Sequence, residues 1–253
     1  MELFDTHSHY NDERFEEDRE ELIQNTFRAG ITKMMCIGYD IESSRKAIQI
    51  AEKHEFIYAT CGISPNDIGN LEELDKIEEM ARHPKVKAIG EIGLDYYWEK
   101  EKSQRELQKL AFQRQIEMAN RLDLPIVIHT RDAYMDTIQI LKETESKNTG
   151  IFHCCPLNNE LIKDGLSLGY YISFSGVITF KNAKAELPVG QVPLDRILIE
   201  TDSPYLTPEP YRGKRNDSRN VIEVARKIAD IKQRPLEEIA KITYENALKV
   251  YKF

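Results

Sequence analysis

The sequence predicts an α/β protein of the TIM type, a single (β/α)8 barrel, and three observations carry this. The length, 253 residues, matches the roughly 250 that such a barrel typically needs. Apolar runs of strand length alternate with longer amphipathic runs from one end of the chain to the other. No internal repeat, Pro/Gly/Ser-rich linker or low-complexity tract interrupts the pattern, so residues 1–253 read as one domain. Alternation implies a parallel sheet and eight units imply closure, with a doubly wound open sheet as the alternative.

The strand runs are, in order, ELFDTH, ITKMMCIG, FIYATCG, VKAIGEIG, PIVIHT, GIFHC, YYISFSG and RILIET. The helical runs include RFEEDREELIQNTFRAG, SSRKAIQIAEKH, LEELDKIEEMARH and SQRELQKLAFQRQIEMANRL. Ser43 and Ser103 suit helix N-caps, Gly30 suits the position just past a helix end, and Pro125 opens the next strand. The pattern weakens after the seventh strand. The tail YENALKVYKF reads as the end of a last amphipathic helix packed on the barrel wall.

Composition narrows the function classes. A chain that is 41% hydrophobic and 31% charged is ordinary for a soluble protein with a sizeable core. Its net charge of -8 argues against non-specific coating of nucleic acid, though not against a local grip on a few phosphates. The acidic start (Asp5, Asp12, Glu16, Glu17, Asp18) is unlike a signal peptide, and no apolar run approaches the roughly 20 residues of a membrane span. Of Cys36, Cys61, Cys154 and Cys155, only the last two are neighbours, and adjacent residues rarely pair. Reduced thiols and a cytoplasmic location follow.

Polar residues that strands do not need fall at the carboxyl ends of the strand runs. They are His7 and His9, Glu91, His129, His153 and Asp202. In a barrel those ends share one face, where active sites are built. Residues i and i+2 of a strand point the same way, so His7 and His9 both aim inward. The His-x-His pair alone is equally a loop feature. Six ionisable groups on one face are costly without a counter-ion, and metal ions remove that cost. Six protein ligands exceed the three or four of a single zinc site and suit two ions sharing a carboxylate. His54 and His83 fall near helix ends, where a solvated or dipole-facing role is expected. Cys155 is a weak further candidate ligand, on the same side as His153 if the strand continues.

A second constellation is TDSPYLTPEPYRGKRNDS, residues 201–218. Arg212, Lys214 and Arg215 follow turn residues just past Asp202, and read either as a solvated basic loop or as a grip on an anionic substrate. Arg131, two residues beyond His129, is another candidate phosphate ligand, since a guanidinium binds phosphate bidentately. Tyr96, Tyr97 and Trp98 either stack on a base or pack their own loop.

On FDTHSH, AIGEIGLDYY, FQRQIEMANRLDLPIVIHTRDA, the His153-Cys154 pair and ILIETDSPYLTPEPYRGKRN, the chain resembles the TatD family of metal-dependent hydrolases, nearly end to end. That resemblance implies a TIM-like barrel with two divalent ions hydrolysing phosphodiesters, commonly as a 3′–5′ exonuclease on DNA. It implies that His7, His9 and Asp202 hold one ion, that His129 and His153 hold the other, and that Glu91 bridges them. Two departures stand out. Where the family often reads Gly-x-His-Pro-His, this chain has Ser64 and Asn66 in the histidine places; after His153-Cys154 it has Cys155-Pro156-Leu157 instead of Phe-Ser-Gly.

The expected mechanism is two-metal phosphodiester hydrolysis with Asp202 as general base beside Glu91, and Arg131, Arg212, Lys214 and Arg215 on the phosphate. DNA or another phosphodiester is the expected partner, with no membrane and no obligate protein partner. The donor set admits Mg²⁺, Mn²⁺ or Zn²⁺. Two rivals are hydrolysis of an amide, ester or lactone, including an aminoacyl-tRNA ester, and a non-catalytic barrel that has kept its shape.

Overall fold

The computed structural model describes residues 1–69 and 71–253. Eight parallel strands form one sheet in sequence order: β1 Leu3–Ser8, β2 Ile31–Ile37, β3 Ile57–Cys61, β4 Val86–Asp95, β5 Ile126–Arg131, β6 Ile151–Phe152, β7 Tyr171–Phe174 and β8 Ile197–Ile199. The sheet closes where the Asp202 amide donates to His7 O (2.9 Å) and the His9 amide to Ser203 O (2.7 Å). Both bonds lie beside the site described below.

Helices follow the strands as expected: α1 Arg19–Arg28, α2 Ile41–Lys53, α3 Leu74–Met80, α4 Lys102–Leu122, α5 Tyr134–Glu143, α6 Asn159–Ser167, α7 Glu186–Gln191, α8 Val221–Lys232 and α9 Leu236–Val250. Gly30 does stand past the end of α1, with φ +96°, a backbone shape that glycine adopts without a side-chain clash. The expected serine caps are corrected. Ser43 is the fourth member of a capping box whose N-cap is Asp40, and Ser103 lies inside α4. The helical run over residues 71–83 yields only a single short 3-10 turn and α3. Among the described residues no helix is long and apolar enough to cross a membrane.

Alternate strand residues divide between two apolar layers. One set, including Ile31, Met34, Cys36, Ile57 and Ile128, packs under the helices. The other faces the barrel axis and gathers Phe4, Ala88, Val127, Ile151, Tyr171 and Leu198 near the strand starts, with Ile37 at the end of β2. Ala247, Val250 and Tyr251 at the end of α9 join this inner layer. The tail therefore does more than lie on the wall: it plugs the barrel floor. Tyr251 is buried and donates its hydroxyl to Thr6 O at 3.0 Å, so its polar end is satisfied. Burying a side chain of this size contributes about 1.5–3 kcal/mol.

Above this plug the interior turns polar. Thr6 meets Ser173 across the barrel at 3.3 Å. Asp5 accepts from the Thr201 amide (3.0 Å) and hydroxyl (2.6 Å), tying β1 to the segment after β8. Burial pushes its carboxyl up to about 7.

Candidate metal centre

The strand ends bring His7, His9, Glu91, His129, His153 and Asp202 together. The Nε2 atoms of His7 and His9 are 3.2 Å apart. They stand 3.5 and 3.9 Å from Glu91 Oε2, and 3.6 and 3.2 Å from Asp202 Oδ1. On the other side, Glu91 Oε1 lies 2.9 Å from His129 Nδ1 and 3.2 Å from His153 Nε2. Those two nitrogens are 3.2 Å apart. One carboxylate thus turns a separate oxygen to each of two histidine pairs. His7, His9 and Glu91 form one compact donor group, and Glu91, His129 and His153 another. A third combination, His7, His153 and Glu200, is also compact, but Glu200 Oε1 already accepts from the Cys154 amide at 2.7 Å.

Backbone irregularity aims these side chains. The β1–β2 register slips between Asp5 and Ser8, so Thr6 meets Ser173 while its neighbour His7 stacks on His153 at 3.8 Å between ring centroids. Simple alternation would have sent those two residues to opposite faces. A second slip between Ile89 and Ile92 of β4 surrounds Glu91. Gly93 follows with φ +138°, where a Cβ would sit 2.0 Å from His129 O, so only glycine lets β4 pass β5 here. Asp202 itself adopts φ +55°, strained backbone of the kind that costs on the order of 1–3 kcal/mol and gathers at functional sites.

Two acids that sequence reasoning did not select complete the arrangement. Asp95 Oδ2 lies 3.1 Å from His129 Nε2, and Glu200 Oε1 lies 3.3 Å from His153 Nδ1. Each carboxylate accepts the outer N–H and leaves the inner nitrogen's lone pair free to ligate an ion. The one signal for both was their place in the same strand-end segments as the chosen donors: Asp95 lies four residues past Glu91, and Glu200 two before Asp202. Asp95 also accepts from the Tyr97 and Trp98 amides (2.9 and 3.1 Å) and from Asn66 (3.2 Å). Burial would raise its carboxyl, yet the bonds from His129, the Trp98 amide and Asn66 bring it down to about 2.

The electrostatics call for positive charge. Burial favours neutral forms throughout the cluster, but for Glu91 the His153 charge and bonds from three histidines outweigh it and hold the carboxyl well below its usual range. At His153 burial is likewise outweighed, by Glu91 and Glu200, which keep the imidazole protonated. At Asp202 the bond from His9 and the nearby imidazoles also overcome burial and keep the acid ionised. A divalent ion meets the same demand while releasing the histidine proton. Mixed imidazole and carboxylate donors, two of them oriented from behind, fit such ions.

The centre opens into a cleft of about 790 Å³ lined also by Tyr39, Asp67, Trp98, Arg131 and Tyr205. Arg131 is exposed, with its guanidinium 3.7 Å from the Tyr97 ring centroid. The other expected phosphate ligands lie elsewhere. Arg215 is paired with Asp18 (3.0 Å), and with Lys214 it lines a separate depression beside Asp18 and Leu22. Arg212 lies over the Phe180 ring and donates to Thr207 O. Tyr96 packs its loop, donating to Asp136 at 2.6 Å, whereas Tyr97 and Trp98 stand 43% and 67% exposed. Cys155 is turned away, its amide bonded to Ser173 O; Cys154 lines the cleft instead, with Sγ 3.1 Å from Ser175 Oγ. Ser64 and Asn66 both line the cleft, Ser64 bonding Asp67 and Asn66 bonding Asp95. His54 and His83 sit apart, paired with Glu20 and Glu52.

Fold and donor set together put the chain among the (β/α)8 barrels whose carboxyl-end mouth can hold metal ions. A family model described as TatD related DNase matches residues 4–252. The chain is 43% identical to the uncharacterized metal-dependent hydrolase YabD of Bacillus subtilis, over 99% of each chain. It is 32% identical to the uncharacterized metal-dependent hydrolase YcfH of Escherichia coli, over 99% of this chain and 96% of that one. The crystal structure of YjjV, a TatD homologue from Escherichia coli, superposes with a TM-score of 0.91 at 28% identity, covering 99% and 98%. The chain belongs to the TatD family of metal-dependent hydrolases.

Proposed function

We propose that this protein is a two-metal phosphodiesterase that removes nucleotides from the 3′ end of DNA. The observation that carries the reading is Glu91, whose two oxygens face two different histidine pairs, so that one carboxylate could serve two cations. His7, His9 and Asp202 would hold one cation, and His129 and His153 the other. The family model's own description as a DNase supports the nucleic-acid substrate.

Divalent ions, when bound, lower the pKa of water toward neutrality and neutralise phosphate oxygens. The protein's own groups do the rest. Asp202, kept ionised among the imidazoles, accepts the attacking water's proton. Asp95 and Glu200 fix the tautomers and ring directions of His129 and His153. Arg131 holds a phosphate oxygen at the mouth, and Trp98 offers a face to a base.

The test is purified protein on 5′-labelled single-stranded DNA with and without chelator, beside an Asp202→Asn variant that controls for contaminating nuclease. Stepwise shortening from the 3′ end that needs divalent metal and Asp202 is expected; metal-dependent turnover of carboxylic esters with intact DNA would overturn the reading. That ester alternative has one observation in its favour, the single cationic side chain, Arg131, besides the histidines in the cleft lining among the described residues.

A further inference from the structure

We infer that the cleft takes only the end of a strand, two to three nucleotides long, so that short oligonucleotides serve as well as long DNA. This rests on the phosphodiesterase reading and adds the substrate's length to it. A long polyanion is held by a track of cations, and each phosphate contact adds to the salt dependence of binding. Among the described residues that line the cleft such a track is missing. Among the described cleft-lining residues Arg131 is the one Lys or Arg, against the acids Asp67, Glu91 and Asp202. Three basic side chains of the loops around residues 10–20 and 210–220 are tied to acids of their own, Arg14 to Asp12, Arg215 to Asp18 and Arg219 to Asp217, and Arg19 donates to the Tyr10 and Asp12 carbonyls. Arg212 and Lys214 carry no acid partner among the described residues, but neither lines the cleft.

What the cleft does offer suits a strand end. Its volume of about 790 Å³ lies within the roughly 300–1,000 Å³ of sites for compact ligands. Trp98 is the chain's one tryptophan, stands 67% exposed at the rim, and also lines an adjoining cavity of about 410 Å³. Arg131 lies 5.8 Å from its ring, so a stacked base and its phosphate find partners side by side. Asp95 sets this platform against the metal centre, because the same carboxylate takes the Tyr97 and Trp98 amides and the outer nitrogen of His129. The scissile phosphate at the centre and one phosphate on Arg131 account for the electrostatic contacts, two in all.

The experiment has two readouts on a length series of oligothymidylates of two, three, five and twenty nucleotides. The first is kcat/KM with metal; the second is Trp98 fluorescence during titration with the hydrolysis-resistant phosphorothioate series. Expected is a plateau from the trinucleotide onward in both, with a log–log salt slope of about −1.4, the value for two phosphates on a single strand. Arg131→Ala should flatten that slope by about 0.7 and weaken every length from three nucleotides upward alike, with the least effect on the dinucleotide, which has only the scissile phosphate, whereas Arg212→Glu with Lys214→Glu should change neither. A tenfold or larger gain between three and twenty nucleotides, or a slope near −4 (about six phosphates), would overturn the strand-end inference while leaving the phosphodiesterase reading intact. No hydrolysis at any length would sink that reading, and the inference with it.

Discussion

The floor and the mouth of this barrel are built on the same eight strands from opposite materials. At the floor, Phe4, Val127, Ile151, Tyr171 and Leu198 close over Tyr251. The single polar atom Tyr251 brings in is bonded to Thr6 O. At the mouth, four imidazoles and two carboxylates crowd within hydrogen-bond distance, and the side chains of His7 and His9 leave Nδ1 buried without a partner. The floor spends nothing on unpaired polarity and gains stability. The mouth accepts burial of charge, a slipped register and a strained Asp202, features that stability alone would not retain. Removing a side chain at one end should therefore damage a different property from removing one at the other.

The largest effect is expected at the shared carboxylate. Glu91→Gln should lower kcat/KM by about a thousandfold or more and reduce bound metal, with a smaller loss of metal-free stability than a truncation at the floor. A large loss of metal-free stability would instead mean that the cluster is structural. Tyr251→Ala should show the reverse pattern, losing about 3–5 kcal/mol in denaturant unfolding with kcat per folded molecule preserved. Asp95→Asn and Glu200→Gln probe the join between the two regimes, because they leave every inner nitrogen in place. Each should weaken metal affinity by about 10–100-fold in calorimetric titration, without abolishing it.

The smallest effect is expected at Arg215, remote from both ends of the comparison. Arg215 donates to Asp18 and holds that carboxyl below its ordinary value. A depressed carboxyl stabilises the fold above the ordinary carboxylate range and loses that contribution as pH falls through its folded value. Arg215→Ala should therefore cost under about 1 kcal/mol near neutral pH, since the pair is largely exposed, and nothing in strong acid. A pH-independent difference would show that packing over Phe15, rather than charge, is what Arg215 supplies.

Much of this was legible in the sequence, for reasons particular residues make plain. Strand ends such as IVIHTRDA announce themselves only together, because six ionisable groups at such ends are costly to pack without a counter-ion. The six donors stood out on that ground, and their shared face followed from the barrel. Asp95 and Glu200 did not stand out, because an acid beside a strand end is ordinary and only three-dimensional proximity shows which imidazole it holds. The cap at Ser43 was misplaced by three residues because Asp40 competes for the same role, and both are good caps. The basic loop was the least legible. Sequence shows Arg212, Lys214 and Arg215 close to Asp202, but only the fold reveals that Asp18 reaches across from the first loop to claim Arg215. Ser64 and Asn66, read as departures at the rim, turn out to line the cleft, and Asn66 also steadies Asp95.

The most direct test of the central claim is anomalous diffraction from crystals of the protein soaked in Mn²⁺. The account predicts two peaks, one among His7, His9 and Asp202 and one between His129 and His153, with Glu91 between them and one oxygen on each. A single peak, or two peaks that Glu91 does not join, would contradict it.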